Sequence, residues 1–291
     1  MSSSNEPITK APIRTKSAAK EFLPNVASRS IGAAFVAFPV TLLVLVVFLS
    51  SHRLVQPYAT VEIVIPPKPN FKTIEQVVDK KEAFFGFLSP IVQLENSKLQ
   101  KQREQVLDIY SEYLRTSALS NLSQHRLNRL RRLYEIEDED LTQEEVFQLL
   151  FLRVDEIPMS MVLAQAAIES AWGTSRFAIT GNNYFGQWCF KRGCGVVPKE
   201  RPEGAYHEVA KFRSVQASVA SYFRNINTHN AYRQFRLKRA NMRDNGETLS
   251  SLTLIQELRH YSERGVEYIE ELRKIISANR LVELESEYDK V

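Results

Sequence analysis

Residues 31–50, IGAAFVAFPVTLLVLVVFLS, are twenty consecutive positions without a charge. A helix of that length rises about 30 Å, the thickness of a bilayer's hydrocarbon core, so the run reads as a membrane span. Pro39 is compatible with a span, where neighbouring groups can re-satisfy the freed backbone. Lys10, Arg14, Lys16, Lys20 and Arg29 precede the run, whereas only Arg53 follows it closely. That asymmetry keeps the N-terminus in the cytoplasm and sends the remaining chain across the membrane. A cleaved signal peptide is the competing reading. The long basic region, the length of the apolar run and the poor cleavage site at Ser50–Arg53 favour an uncleaved anchor.

The net charge of +4 belongs entirely to the first 53 residues, where six basic side chains face only Glu6 and Glu21. The rest of the chain is neutral and lacks the concentrated positive face that phosphate binding needs, so nucleic acid is not an expected partner. With two cysteines, and five histidines of which none pair at helical spacing, no metal ligand set is visible and no cofactor is expected.

Pro57, Pro66, Pro67 and Pro69 mark residues 52–70 as an extended linker that lifts the body off the bilayer. From Phe71 the pattern is helical. Leu127, Leu130 and Tyr134 share one face, as do Val146, Leu149 and Leu150 behind the capping box Thr142-Gln-Glu-Glu145. Ser214 can cap a helix carrying Val215, Val219, Tyr222 and Phe223. Leu252, Ile255 and Leu258 mark one further helix, and Ile269, Leu272 and Ile276 another. The series is interrupted once, between Gly193 and Arg213, by Gly, Pro and a period-two stretch. That stretch puts Tyr206, Glu208, Ala210 and Phe212 on one strand face. The expected fold is mainly α, with a small β-hairpin lobe inserted.

The chemistry points to residues 158–190. Pro158 opens a helix, and Met161–Ile168 is apolar nearly all round, which makes this helix central and buried. Glu169 closes it on a core-facing stripe, where desolvation penalises the ionised form and favours a general acid. The alternative is a buried carboxylate satisfied by an arginine or by Gln165 one turn back. From Trp172 to Phe190, six of nineteen residues are aromatic, against 10% in the whole chain, and Gly181, Asn182, Asn183, Gly186 and Gln187 lie among them. Flat apolar faces beside amides suit sugar rings. An aromatic subcore beneath a loop is the rival reading.

Three segments carry a resemblance: Gln165-x-x-x-Glu169-Ser-Ala-Trp-Gly173, Asn182-Asn-Tyr-Phe-Gly-Gln-Trp188 and Phe212-Arg-Ser-Val-x-x-Ser218. Together they resemble the peptidoglycan-hydrolysing endo-β-N-acetylglucosaminidases of glycoside hydrolase family 73, most closely the Bax-type proteins of Gram-negative bacteria. The resemblance implies a lysozyme-like helical fold with a small β-lobe flanking a groove, and hydrolysis of the β-1,4 bond after N-acetylglucosamine. With the span and linker read from the residues, the chain divides into a cytoplasmic tail (1–30), an anchor (31–51) and the linker (52–70), and the resemblance adds a helical extension (71–140) and the glucosaminidase domain (141–285). The body would then lie in the periplasm, tethered to the inner membrane.

By the same resemblance Glu169 is the general acid, and a second carboxylate is expected on the β-lobe: Glu208, or else Glu203. A strand-surface Glu208 paired with Lys211 or Arg213 is the plain alternative. The segment Tyr261–Tyr268 matches the family's active-site tyrosine motif, and Tyr261 is the residue carried over, with core packing as its rival. Trp172, Asn183, Tyr184, Phe185, Gly186, Trp188 and Tyr206 are the expected glycan contacts. In an oxidising compartment Cys189 and Cys194 favour a disulfide over a catalytic thiol, since His207 has no identifiable orienting partner. Two other functions fit the same residues, a lytic transglycosylase and a non-catalytic envelope protein that holds glycan strands.

Overall fold

A computed structural model describes residues 63–288 except Glu200, Pro202, Glu203, His260 and Glu263. The basic tail, the 31–50 span, the first part of the linker and the alternative carboxylate Glu203 lie outside the described residues. Among the described residues, no helix is long and apolar enough to cross a membrane.

Helix α1 (Val77–Thr116) is about 60 Å long. It is followed by α2 (Asn121–Leu133), α3 (Gln143–Arg153), α4 (Met159–Glu169) and α5 (Arg176–Gly181). After a small sheet come α6 (Val215–Thr228), α7 (Arg233–Asp244), α8 (Ser251–Leu254), α9 (Val266–Ala278) and α10 (Leu281–Tyr288), with 3₁₀ turns at Asn230–Tyr232 and Ile255–Leu258. Their starts follow local chemistry. Thr142 and Glu145 close a capping box on α3, and Ser214 Oγ accepts from Ala217 N at 3.1 Å to begin α6. The Leu252–Leu258 segment departs from expectation. It is one short α-turn passing into 3₁₀, so Leu252 faces solvent while Ile255 and Leu258 are buried.

The centre of the molecule is α4, buried from Met159 to Ala167 and packed by α1, α8, α9 and α10. Pro158 gives its N-terminus no side-chain cap. Glu285 of α10 supplies one instead, accepting from Met159 N and Ser160 Oγ, both at 2.5 Å. The other end stops abruptly. Ala171, Trp172 and Gly173 all have positive φ (48°, 56° and 76°), and Trp172 N bonds back to Ala167 O at 2.9 Å. Two non-glycine residues in this region store backbone strain of about 1–3 kcal/mol each. The turn carries the chain off the helix directly after Glu169. A side chain at Gly173 would overlap the ring of Phe71.

Phe71 thus packs beneath this turn. Residues just before it also lie on the body, because Lys68 Nζ bonds Asn182 Oδ1 at 3.0 Å and Ile65 packs against the core. The second part of the linker is therefore applied to the domain and does not stand free as a spacer.

The β-lobe holds three strands rather than a hairpin. β1 (Trp188–Cys189) and β2 (Gly195–Val196) flank a central antiparallel β3 (Glu208–Ala210), with Trp188 opposite Val209 and Gly195 opposite Ala210. Cys189 and Cys194 are joined in a disulfide, their Cα atoms 6.2 Å apart. Being central, β3 is buried at all three positions, so the expected alternation along 205–213 is absent.

Candidate active site

Glu169 is partly buried. It occupies the point where α4, α9 and the Asn183–Gln187 loop meet. Desolvation raises its pKa above the ordinary carboxylate value and a coulombic push from Glu271 adds to this, while a hydrogen bond from Tyr268 and the charge of Arg264 oppose it. The net direction is upward. Arg264, just ahead of α9, is paired with Glu271 of that helix, and Gln165 is taken up by two tyrosines. Glu169 is therefore locked neither to an arginine nor to Gln165.

Four tyrosines surround it. Tyr222, Tyr261 and Tyr268 are raised well above the phenol range by burial, and Tyr232 is pushed up to about 12, so all remain neutral donors. Tyr261 stacks on Tyr268 with ring centroids 5.6 Å apart, and its hydroxyl donates to Phe185 O at 3.0 Å. Tyr261 therefore holds the loop, whereas Tyr268 makes the hydrogen bond to Glu169. The motif was visible in sequence; which of its tyrosines meets the carboxyl was not.

The loop facing Glu169 is built by Asn183. Its Nδ2 donates to Gln187 O (2.8 Å) and Ala210 O (2.9 Å), and its Oδ1 accepts from Gln187 N (3.1 Å) and Phe185 N (3.3 Å). These bonds bring Gly186 against the carboxyl. At Gly186, with φ +61°, an added Cβ would lie 3.2 Å from Glu169 Oε2. Gly186→Ala should therefore lower kcat by displacing the loop from Glu169, with a stability loss of about 1 kcal/mol from the left-handed backbone; steady-state kinetics beside urea unfolding checks this.

Residues 151–281 match the family described as mannosyl-glycoprotein endo-beta-N-acetylglucosaminidase. Protein bax of Escherichia coli (strain K12) is 32% identical over 200 residues, covering 69% of this chain and 70% of that protein. The chain belongs to the Bax-type endo-β-N-acetylglucosaminidase family. It is a glycoside hydrolase with a glycan substrate. No solved structure matches it significantly.

Several expected contacts of this glucosaminidase take other roles. Tyr184 and Phe185 are 0% and 2% exposed and Asn183 is 1% exposed, so none offers a surface to a sugar. Tyr184 stacks on Phe84 and Phe185 on Tyr222, at centroid distances of 6.1 and 4.1 Å. Trp172 is edge-on to Phe84 and Phe85 at 5.5 and 5.4 Å, which docks the turn onto α1. The accessible rings are those of Trp188, Tyr206 and Phe190, at 51%, 55% and 70% exposure on the β-lobe. Trp188 is two residues from Gly186, at most about 7 Å of extended chain.

Glu208 is held by the β-lobe itself. It is buried, and its two oxygens accept from Gly193 N at 3.0 Å and Gly195 N at 2.7 Å. Those amides hold its pKa below the ordinary value. The carboxylate braces the disulfide loop. Glu208, Cys189 and Cys194 group closely, but the bonded sulfurs offer no thiolate to a metal. A cavity of about 700 Å³, lined by Gln93, Asn96, Arg243 and Met159 among others, lies at the N-terminal end of α4. It is about 15 Å along the helix from Glu169 and takes no part in this site.

Proposed function

We propose that the protein is a membrane-anchored peptidoglycan hydrolase that cleaves the β-1,4 bond after N-acetylglucosamine, with Glu169 as the general acid. Residues 31–50 hold it in the inner membrane with its N-terminus in the cytoplasm, and the catalytic body works in the periplasm. The observation that carries the reading is a partly buried, desolvated carboxyl at the end of the buried helix, hydrogen-bonded by Tyr268 and faced by Gly186. Desolvation favours the protonated form that a general acid needs. The exposed rings of Trp188 and Tyr206 support sugar stacking along the β-lobe.

The nucleophile comes from the substrate. Glu208 is occupied by loop amides, which favours attack by the 2-acetamido oxygen on the anomeric carbon over base-assisted attack by water. As the proton passes from Glu169 to the leaving oxygen and the glycosidic bond breaks, the acetamide closes a cyclic oxazolinium intermediate; water then opens it from the opposite face, giving its proton back to the Glu169 carboxylate. The new reducing end is expected to emerge with retained β configuration, followed by NMR within seconds of cleavage, and Glu203→Gln should keep its activity. An α-anomer as first product, together with an inactive Glu203→Gln, would assign a water-activating base instead. Anhydromuramoyl ends would make the enzyme a transglycosylase.

A further inference from the structure

The hydrogen bonds behind Glu169 run in one direction. Gln165 stands one turn earlier on α4 and is fully buried. The Tyr222 hydroxyl, from α6, donates to Gln165 Oε1. The Nε2 of the same amide donates to Tyr268 Oη at 3.0 Å, and Tyr268, on α9, is hydrogen-bonded to Glu169. Tyr222 decides which way the amide points. Among the described residues its buried hydroxyl donates to Gln165 alone, and turning the amide over would leave that proton without an acceptor. With Tyr268 Oη already accepting from Gln165, its own proton is left for Glu169.

We propose that Gln165 is a positioning residue. Through the chain from Tyr222 to Gln165 to Tyr268 it makes Tyr268 a fixed donor to Glu169 and so assigns the acid proton to the other carboxyl oxygen. This rests on Glu169 being the general acid. A donor to the carboxyl stabilises its ionised form, so breaking the chain anywhere lets Glu169 hold its proton to higher pH. The other described groups whose charge reaches Glu169 are Arg264, just ahead of α9, and Glu271 of α9, paired with each other, and the phenols of Tyr222, Tyr232 and Tyr261. These phenols stay neutral through the working range.

The test is the pH dependence of kcat/KM of the full-length protein on soluble peptidoglycan strands. It compares wild type with Tyr222→Phe, Gln165→Met, Tyr268→Phe and the Tyr222→Phe/Tyr268→Phe double variant. The alkaline limb should move to higher pH in every single variant, and the double should coincide with Tyr268→Phe, because the chain then has no end. Tyr222→Phe removes one oxygen and keeps the ring stacked on Phe185 at 4.1 Å, so it carries the test whatever the folding of Gln165→Met. A merely structural Gln165 would lower the plateau and leave the limb in place. An unmoved limb, a shift to lower pH, or additive shifts in the double would overturn the proposal. Should Glu169→Gln remain active, the general-acid reading itself falls; should it be inactive while the limb stays put, only the relay is wrong.

Discussion

Glu169→Gln is expected to lose solubilisation of cell-wall sacculi by about 10²–10⁴-fold, the range that a positioned general acid supplies. It should keep its fold and its binding to glycan. The amide is isosteric and can still accept from Tyr268, so the loop around Gly186 is undisturbed while the transferable proton is gone. Sacculi turbidity beside a pull-down assay separates the two effects. Wild-type activity should fall as pH rises through the raised Glu169 pKa, since only the protonated carboxyl can deliver a proton. An inactive wild type that still binds sacculi would instead fit a protein that only holds glycan.

Asp155→Ala is expected to have the largest effect on stability, about 3–5 kcal/mol by urea unfolding, the cost of removing one partner from a buried ion pair. Asp155 is 1% exposed, with Arg243 Nη2 at 2.9 Å, Arg239 Nε at 3.6 Å and Arg103 Nη1 at 3.7 Å from its carboxylate. Arg239 is fully buried and also donates to Leu152 O, Asp155 O and Glu156 O. Without Asp155 its charge would remain inside the protein unpaired. The cluster draws α1 and α7 onto the segment that leads into α4, so the position of Glu169 depends on it. Burial alone would raise the Asp155 pKa, but Arg239, Arg243 and Arg103 outweigh it and hold the carboxyl below its usual range. A depressed carboxylate contributes stability above its unfolded pKa that is lost as pH falls through the folded value. The wild type should therefore weaken in acid, and Asp155→Asn should be less stable near neutrality with a flatter acid dependence.

The parts of this fold that were legible in sequence are those governed by neighbours within a turn. The all-apolar stretch Met161–Ile168 marked a buried helix, Thr142 and Glu145 marked a cap, and Glu169 could be placed at the end of that helix, because periodicity and capping are local. Aromatics, amides and glycine between Trp172 and Trp188 describe a sugar platform and a tightly folded loop equally well. Which of the two each residue joins depends on what packs over it. Phe84 and Phe85 lie almost ninety residues before Trp172, and Ser218, whose Oγ accepts from Tyr184 N at 3.2 Å, follows more than thirty later. No pattern within the loop encodes those partners. For Glu208, strand alternation predicts the face of the side chain, not the loop amides folded around it. Asp155 was not singled out because its arginines stand more than fifty residues before it and more than eighty after it.

Catalysis by Glu169 depends most on the protonation of its carboxyl, and NMR of the protein with ¹³C-labelled glutamate carboxyls reads it directly. One resonance, absent from Glu169→Gln, should titrate above the other glutamates and move higher still in Tyr268→Phe. A Glu169 signal that titrates at or below the ordinary carboxylate range would contradict the account, since the group would then be ionised when the bond breaks.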